Sequence, residues 1–139
     1  MELKDFIGEY TLDAVDYDSF GVNYDYNEIN GIIIRLNGTS YTFIEDPEDG
    51  YRSMLNDVFI ESNYDHKTIF PGIDVVCSYE TKCPYEKYNT PDEESELIVF
   101  RSKLTGKIIC IIGTDYNDSY YPSFVSVFQP ENMDCNLLN

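Results

Sequence analysis

The sequence has no tryptophan, one histidine (His66) and only 9 lysines and arginines in 139 residues. Each shortage excludes something. Nucleic-acid affinity comes largely from Lys and Arg neutralising phosphates, and binding to anionic membrane surfaces draws on the same cations. Nine cations against 26 carboxylates, a net charge of −17, argue against both. A lone histidine leaves Ser–His or Cys–His catalysis dependent on a distant partner, and His66 in "NYDHKT" has the setting of a loop residue. No Cys-x-x-Cys pair occurs among Cys77, Cys83, Cys110 and Cys135, so zinc and thioredoxin-type chemistry lack their usual spacing. Neither G-x-x-x-x-G-K-[ST] nor G-x-G-x-x-G is present to cradle a phosphate. No apolar run nears the ~18 residues of a membrane span. The start, "MELKDFIGEY", lacks the basic and apolar regions of a signal peptide. The expectation is a cytoplasmic protein with reduced thiols.

What is present is apolar content of 42%, enough for a core, and thirteen tyrosines. Tyrosine packs by its ring and hydrogen-bonds by its hydroxyl, so that number suits half-buried sheet faces or a contact surface. A chain of this length is expected to form one domain, residues 1–139. In "GIIIRLNGTSYTFIED" two β-prone runs flank Asn37-Gly38, a two-residue hairpin signal because both turn positions need positive φ. "ELIVFRSKLTGKIICIIGTD" predicts a second hairpin, with Gly106 left-handed in a three-residue loop. Its arms, Leu97–Phe100 and Ile108–Ile112, are continuously apolar, as in strands covered on both faces. Gly8–Leu12, Val58–Glu61, Ile73–Tyr79 and Phe124–Phe128 are further strand candidates. Helix signals are confined to a turn or two over Glu2–Ile7 and one turn over Tyr51–Asn56. The expected fold is mainly β: a mostly antiparallel sheet of six or seven strands, as a curled sheet or small sandwich with little helix.

The carboxylates gather in three stretches. "EDPEDGYRS" holds Glu48 and Asp49 beside Tyr51, and every residue in it has a turn explanation. "DYDSFGVNYDYNE" holds Asp16, Asp18 and Asp25 with Tyr24 and Tyr26; "GTDYNDSYYPSFV" holds Asp115 and Asp118 with Tyr120 and Tyr121. The last two imitate the start of a calcium loop, but Tyr120 stands where that loop needs glycine and Phe20 where it needs a ligand. No metal and no other cofactor is expected. With 26 carboxylates some pair will fall ~5–9 Å apart by chance, so such a pair identifies no hydrolase.

"EDPEDGYRSMLNDV", "LTGKIICIIGTD" and "DSYYPSFVSVFQPENM" together resemble a group of small phage and prophage proteins. These carry a D-P-[DE]-D-G-Y-R-S block, a T-G-K turn, and a Y-Y-P block ending in P-E-N-M. The resemblance covers roughly Asn30 to Met133, with Ser119 in place of the group's second acid. It implies a phage-type accessory protein, acting in the cytoplasm of an infected bacterial host, and transfers no catalytic residue.

Three readings follow. The first is a non-enzymatic inhibitor that occupies the basic surface of a host protein, such as a nucleic-acid-handling or defence enzyme. At ~1.7 Å per duplex charge, −17 matches about 29 Å of duplex, and a domain of this size is about 35–40 Å across. Its expected contact residues are the seven acids and five tyrosines just named, mostly exposed, several on one face. The second is a virion or prophage structural protein held by sheet contacts, and the third a carboxylate-dependent metal hydrolase.

Overall fold

In a computed structural model, the structure describes residues 3–22, 28–44, 58–61, 69–82, 84, 96–115, 123–129 and 132. A four-residue 3-10 helix, Leu3–Phe6, precedes eight strands: β1 Gly8–Val22, β2 Glu28–Leu36, β3 Thr39–Ile44, β4 Val58–Glu61, β5 Ile69–Glu80, β6 Glu96–Ser102, β7 Ile108–Asp115 and β8 Ser123–Phe128. They form one curled antiparallel sheet in the order β4-β3-β2-β1-β5-β6-β7-β8. The mainly β fold expected from the sequence is therefore present, with one strand more than the upper expectation. Among the described residues no helix is long and apolar enough to cross a membrane.

The Asn37-Gly38 turn is as its chemistry demands: φ is 52° and 82° at the two positions, and Leu36 pairs with Thr39. Gly106 is left-handed too, at φ 73°. Its loop is longer than predicted, because Lys103 to Gly106 all lie between Ser102 and Lys107. The Ser102 N–H donates to the Lys107 carbonyl, and the Gly106 N–H to the Ser102 carbonyl.

The core lies on one face of the curl. Leu12, Ile34, Phe43, Val75, Phe100 and Ile112 belong to it, and Phe6 of the 3-10 helix packs edge-on to Tyr41 at 5.0 Å between centroids. Tyr10, Tyr41 and Tyr79 are half-buried around this core, the amphipathic role anticipated for tyrosine. Lys4 sits 5.0 Å over the Tyr79 ring. On the opposite face a smaller cluster joins Leu97, Val99 and Ile111. Leu97 to Phe100 are all buried, so β6 is covered on both sides, as its unbroken apolar run predicts.

The reach of β1 departs from the reading. The strand was expected to stop at Leu12, yet it continues to Val22 through a bulge between Leu12 and Ala14. β1 meets β5 over Gly8 to Ala14 and β2 over Leu12 to Val22. The two halves of the sheet are thus offset along β1 and run from it in opposite directions.

Candidate binding surface

The offset brings both hairpin tips to the middle of the sheet, facing each other across β1 and β5. On one side, the Asn37 side chain accepts the Thr11 N–H at 2.8 Å, while the Asn37 N–H donates to the Thr11 carbonyl at 2.9 Å. The Gly38 N–H donates to Asp13 Oδ2 at 3.2 Å. Asp13 is the residue the bulge leaves out of the ladder, which frees its carboxylate to take that turn amide. On the other side, the Lys103 N–H donates to the Asp74 carbonyl at 2.9 Å, and Lys103 Nζ lies 3.2 Å from Glu9 Oε1. The Thr11 hydroxyl donates to Asp74 Oδ1 at 3.2 Å, joining the two sides.

Between the tips is an open depression of about 220 Å³, lined by Glu9, Tyr10, Thr11, Asn37, Asp74, Val75 and Lys103. Gly72 lets Thr11 and Asp13 close over β5: a Cβ there would stand 2.3 Å from Thr11 Cγ2 and 3.0 Å from Asp13 Oδ1. Glu9 and Asp74 thus line the depression with Lys103, Glu9 pairing with its ammonium, while Asp13 holds the turn amide of Gly38. The Lys103–Glu9 pair is more than half exposed at both ends, so it is weak and exchangeable. This arrangement suits receipt of a cationic group from outside.

A second polar group lies on the same face. Arg101 bonds Glu80 and Ser78, and Ser78 donates to Glu80 at 2.8 Å. Burial pushes the Glu80 carboxyl up, but these hydrogen bonds and the guanidinium charge outweigh it and hold it below the ordinary carboxylate range. The described thiols offer no nucleophile. Burial, and then the Glu80 charge, push Cys77 up to about 12; burial, and then Cys77, raise Cys110 as well. Among the described residues, no group of three His, Cys, Asp or Glu side chains is placed to hold a metal ion.

The residues named from the sequence fall in several places. Asp16 was expected to be exposed on a turn-rich stretch; it is 7% exposed, in β1 opposite Ile33. The bulge that extends β1 carries Asp16 into the ladder, which is the physical reason for the difference. Asp18 also lies within β1, opposite Gly31. Asp115 ends β7 opposite Ser123, at the end of the sheet opposite to that of Asp18. Tyr24, Asp25, Tyr26, Glu48, Asp49, Tyr51, Asp118, Tyr120 and Tyr121 lie outside the described residues, as do His66, the Tyr51–Asn56 turn and most of "EDPEDGYRS". The register still fixes where their segments attach. Asp18 pairs with Gly31 and Gly31 with Ile44, so the β1–β2 and β3–β4 connections leave one end of the sheet. The connection after Asp115 leaves the other end. Glu9, Asp13 and Asp74 were missed: each stands alone in the sequence, and only the bulge and the offset register bring them together.

No family model, no curated protein and no solved structure matches the chain.

Proposed function

We propose that this protein acts by occupancy. It is a small acidic phage-type protein that binds the basic surface of a host protein, possessing no catalytic step of its own, and so blocks a site meant for nucleic-acid phosphates. The observation that carries this reading is the charge: 26 carboxylates against 9 cations, far beyond what solubility needs. Two features support it. The open middle of the sheet presents Glu9 and Asp74 beside the exchangeable Lys103, with Asp13 at the Asn37-Gly38 tip. The connections that carry Asp25, Glu48 and Asp49, with Tyr24, Tyr26 and Tyr51, attach at one end of the sheet. Carboxylates steer a basic groove into contact and tyrosines supply packed anchors.

The test is affinity capture from host lysate followed by charge reversal. Asp25→Lys/Glu48→Lys/Asp49→Lys should abolish capture of the basic partner while the circular dichroism spectrum stays unchanged. Asp118→Lys, in the connection that begins after Asp115, should weaken it far less. If the triple variant binds as well as the parent, the acidic surface serves solubility and the accessory-protein reading replaces this one.

A further inference from the structure

The two outer strands of the sheet are unlike. β4 has four residues and includes Glu61; β8 has six, "SFVSVF", with no charged side chain and no register shift against β7. Proteins normally blunt an open edge with charge, proline, a bulge or short length. β4 is blunted in this way, and β8 is not.

The direction of the β8 backbone follows from its bonds. The Gln129 N–H donates to the Ile109 carbonyl at 2.7 Å, two residues beyond the pair Ile111 and Val127. In an antiparallel ladder the N–H and C=O of one residue point to the same side, and the side alternates along the strand. Val125, Val127 and Gln129 therefore turn their backbone groups toward β7. Phe124, Ser126 and Phe128 turn theirs outward, where no described strand lies.

Those outward residues are self-complementary. "PSFVSVFQP" is nearly palindromic about Ser126. In an antiparallel pairing of two copies centred there, Phe124 faces Phe128, Val125 faces Val127, and Ser126 faces its own counterpart. Pro122 and Pro130 stand four residues to either side of Ser126. Both fall outside β8, Ser123–Phe128, so in this register neither takes a donor from the ladder. Sliding by two residues in either direction, the smallest slip that keeps outward groups opposed, sets a proline against Phe124 or Phe128 and removes a donor. Ser126 Oγ is buried within its own chain, so the pairing rests on the outward backbone groups of β8 and not on that hydroxyl.

We propose that β8 is a self-recognition edge, at which two copies of the chain pair antiparallel about a two-fold axis through Ser126 and join their sheets into one. This inference stands on β8 alone and does not depend on the partner reading above. The edge itself does not oppose a second copy: two molecules at −17 repel each other, and β8 adds no charge to that repulsion at the seam.

Sedimentation equilibrium of the full chain, from micromolar to near-millimolar, tests this. A dimer is expected, and it should strengthen with salt as the repulsion is screened. The N–H that Ser126→Pro removes is an outward one and not one bonded to β7, and the change should raise the dimer dissociation constant at least ~tenfold. In a Cys83→Ser/Cys135→Ser background, Ser126→Cys should form an intermolecular disulfide on mild oxidation, since facing Cα atoms in such a pair lie ~5.5 Å apart. Gln129→Cys, ~20 Å from its counterpart in this register, should not. A monomer at every concentration and salt overturns the proposal, as does equal cross-linking of the two cysteine variants. A monomer whose β8 amides gain exchange protection only with an added extended peptide also overturns it, and makes the edge a site for a foreign strand.

Discussion

At Gly113 a side chain has no room. The residue sits at φ 156° opposite Leu97, and a Cβ there would be 2.1 Å from the Glu96 carbonyl oxygen and 2.8 Å from the Leu97 Cα. Both obstacles are backbone, which cannot rotate aside as a side-chain tip can. Gly113→Ala should cost at least ~2 kcal/mol, through forced displacement of β6. Chemical denaturation checks it: an unchanged midpoint would mean that β6 and β7 are not in this register. Cys77 makes a second test at the same scale. Its thiol pKa rises from the ordinary 9.0 to about 12, chiefly through burial and secondarily through the Glu80 charge. A raised pKa favours the protonated, folded form. Its contribution to stability is complete below about 9 and is lost as pH climbs toward 12. Unfolding midpoints measured across that alkaline range should fall for the parent and fall less for Cys77→Ala. If the two slopes agree, Cys77 is not buried in the folded protein.

At the level of elements, the two turns separate backbone conformation from contact. A Cβ at Gly106 would meet nothing within 4 Å, yet φ is 73°. Gly106→Val should therefore destabilise by more than ~1 kcal/mol through backbone strain alone. Gly106→Asn should cost clearly less, because asparagine tolerates the left-handed region. Equal costs for the two would show that side-chain volume, not φ, is limiting. Both turns were legible in the sequence because Asn-Gly and Thr-Gly carry their geometry in their own covalent structure, and β6 was legible because four consecutive apolar residues need two buried faces. β1 was not. Its second half alternates acids with larger residues in a way that suits a turn-rich stretch equally well, and only pairing with β2 decides between them. β5 hid its start for a related reason. Pro71 argues against a ladder strand, but it lies beside the bulge where pairing with β1 is already broken. The depression between the hairpin tips left no trace in the sequence, since the proximity of Asp13 to Gly38 and of Asp74 to Thr11 is a product of long-range register.

For the whole molecule the governing quantity is −17, and it acts with opposite sign on the two associations proposed here. A basic partner is drawn in by that field, so salt should weaken the complex, mainly through slower association, as the Debye length shrinks from ~10 Å at 0.1 M to ~3 Å at 1 M. A second copy is repelled by the same field, so salt should strengthen pairing at β8. Measured side by side, by stopped-flow binding to a captured partner and by sedimentation of the chain alone, the two should move apart as salt rises. Charge reversal supplies the cross-check. Asp25→Lys/Glu48→Lys/Asp49→Lys takes the net charge from −17 to −11, since each of the three changes adds two. It should flatten the salt dependence of both associations, abolish the first, and tighten the second at low salt. Ser126→Pro should weaken only the second. If the triple reversal instead weakens self-pairing, its seam includes those carboxylates and does not lie at β8; if Ser126→Pro also abolishes partner capture, the partner reads the dimer, and occupancy of a basic groove by the single chain is the wrong description.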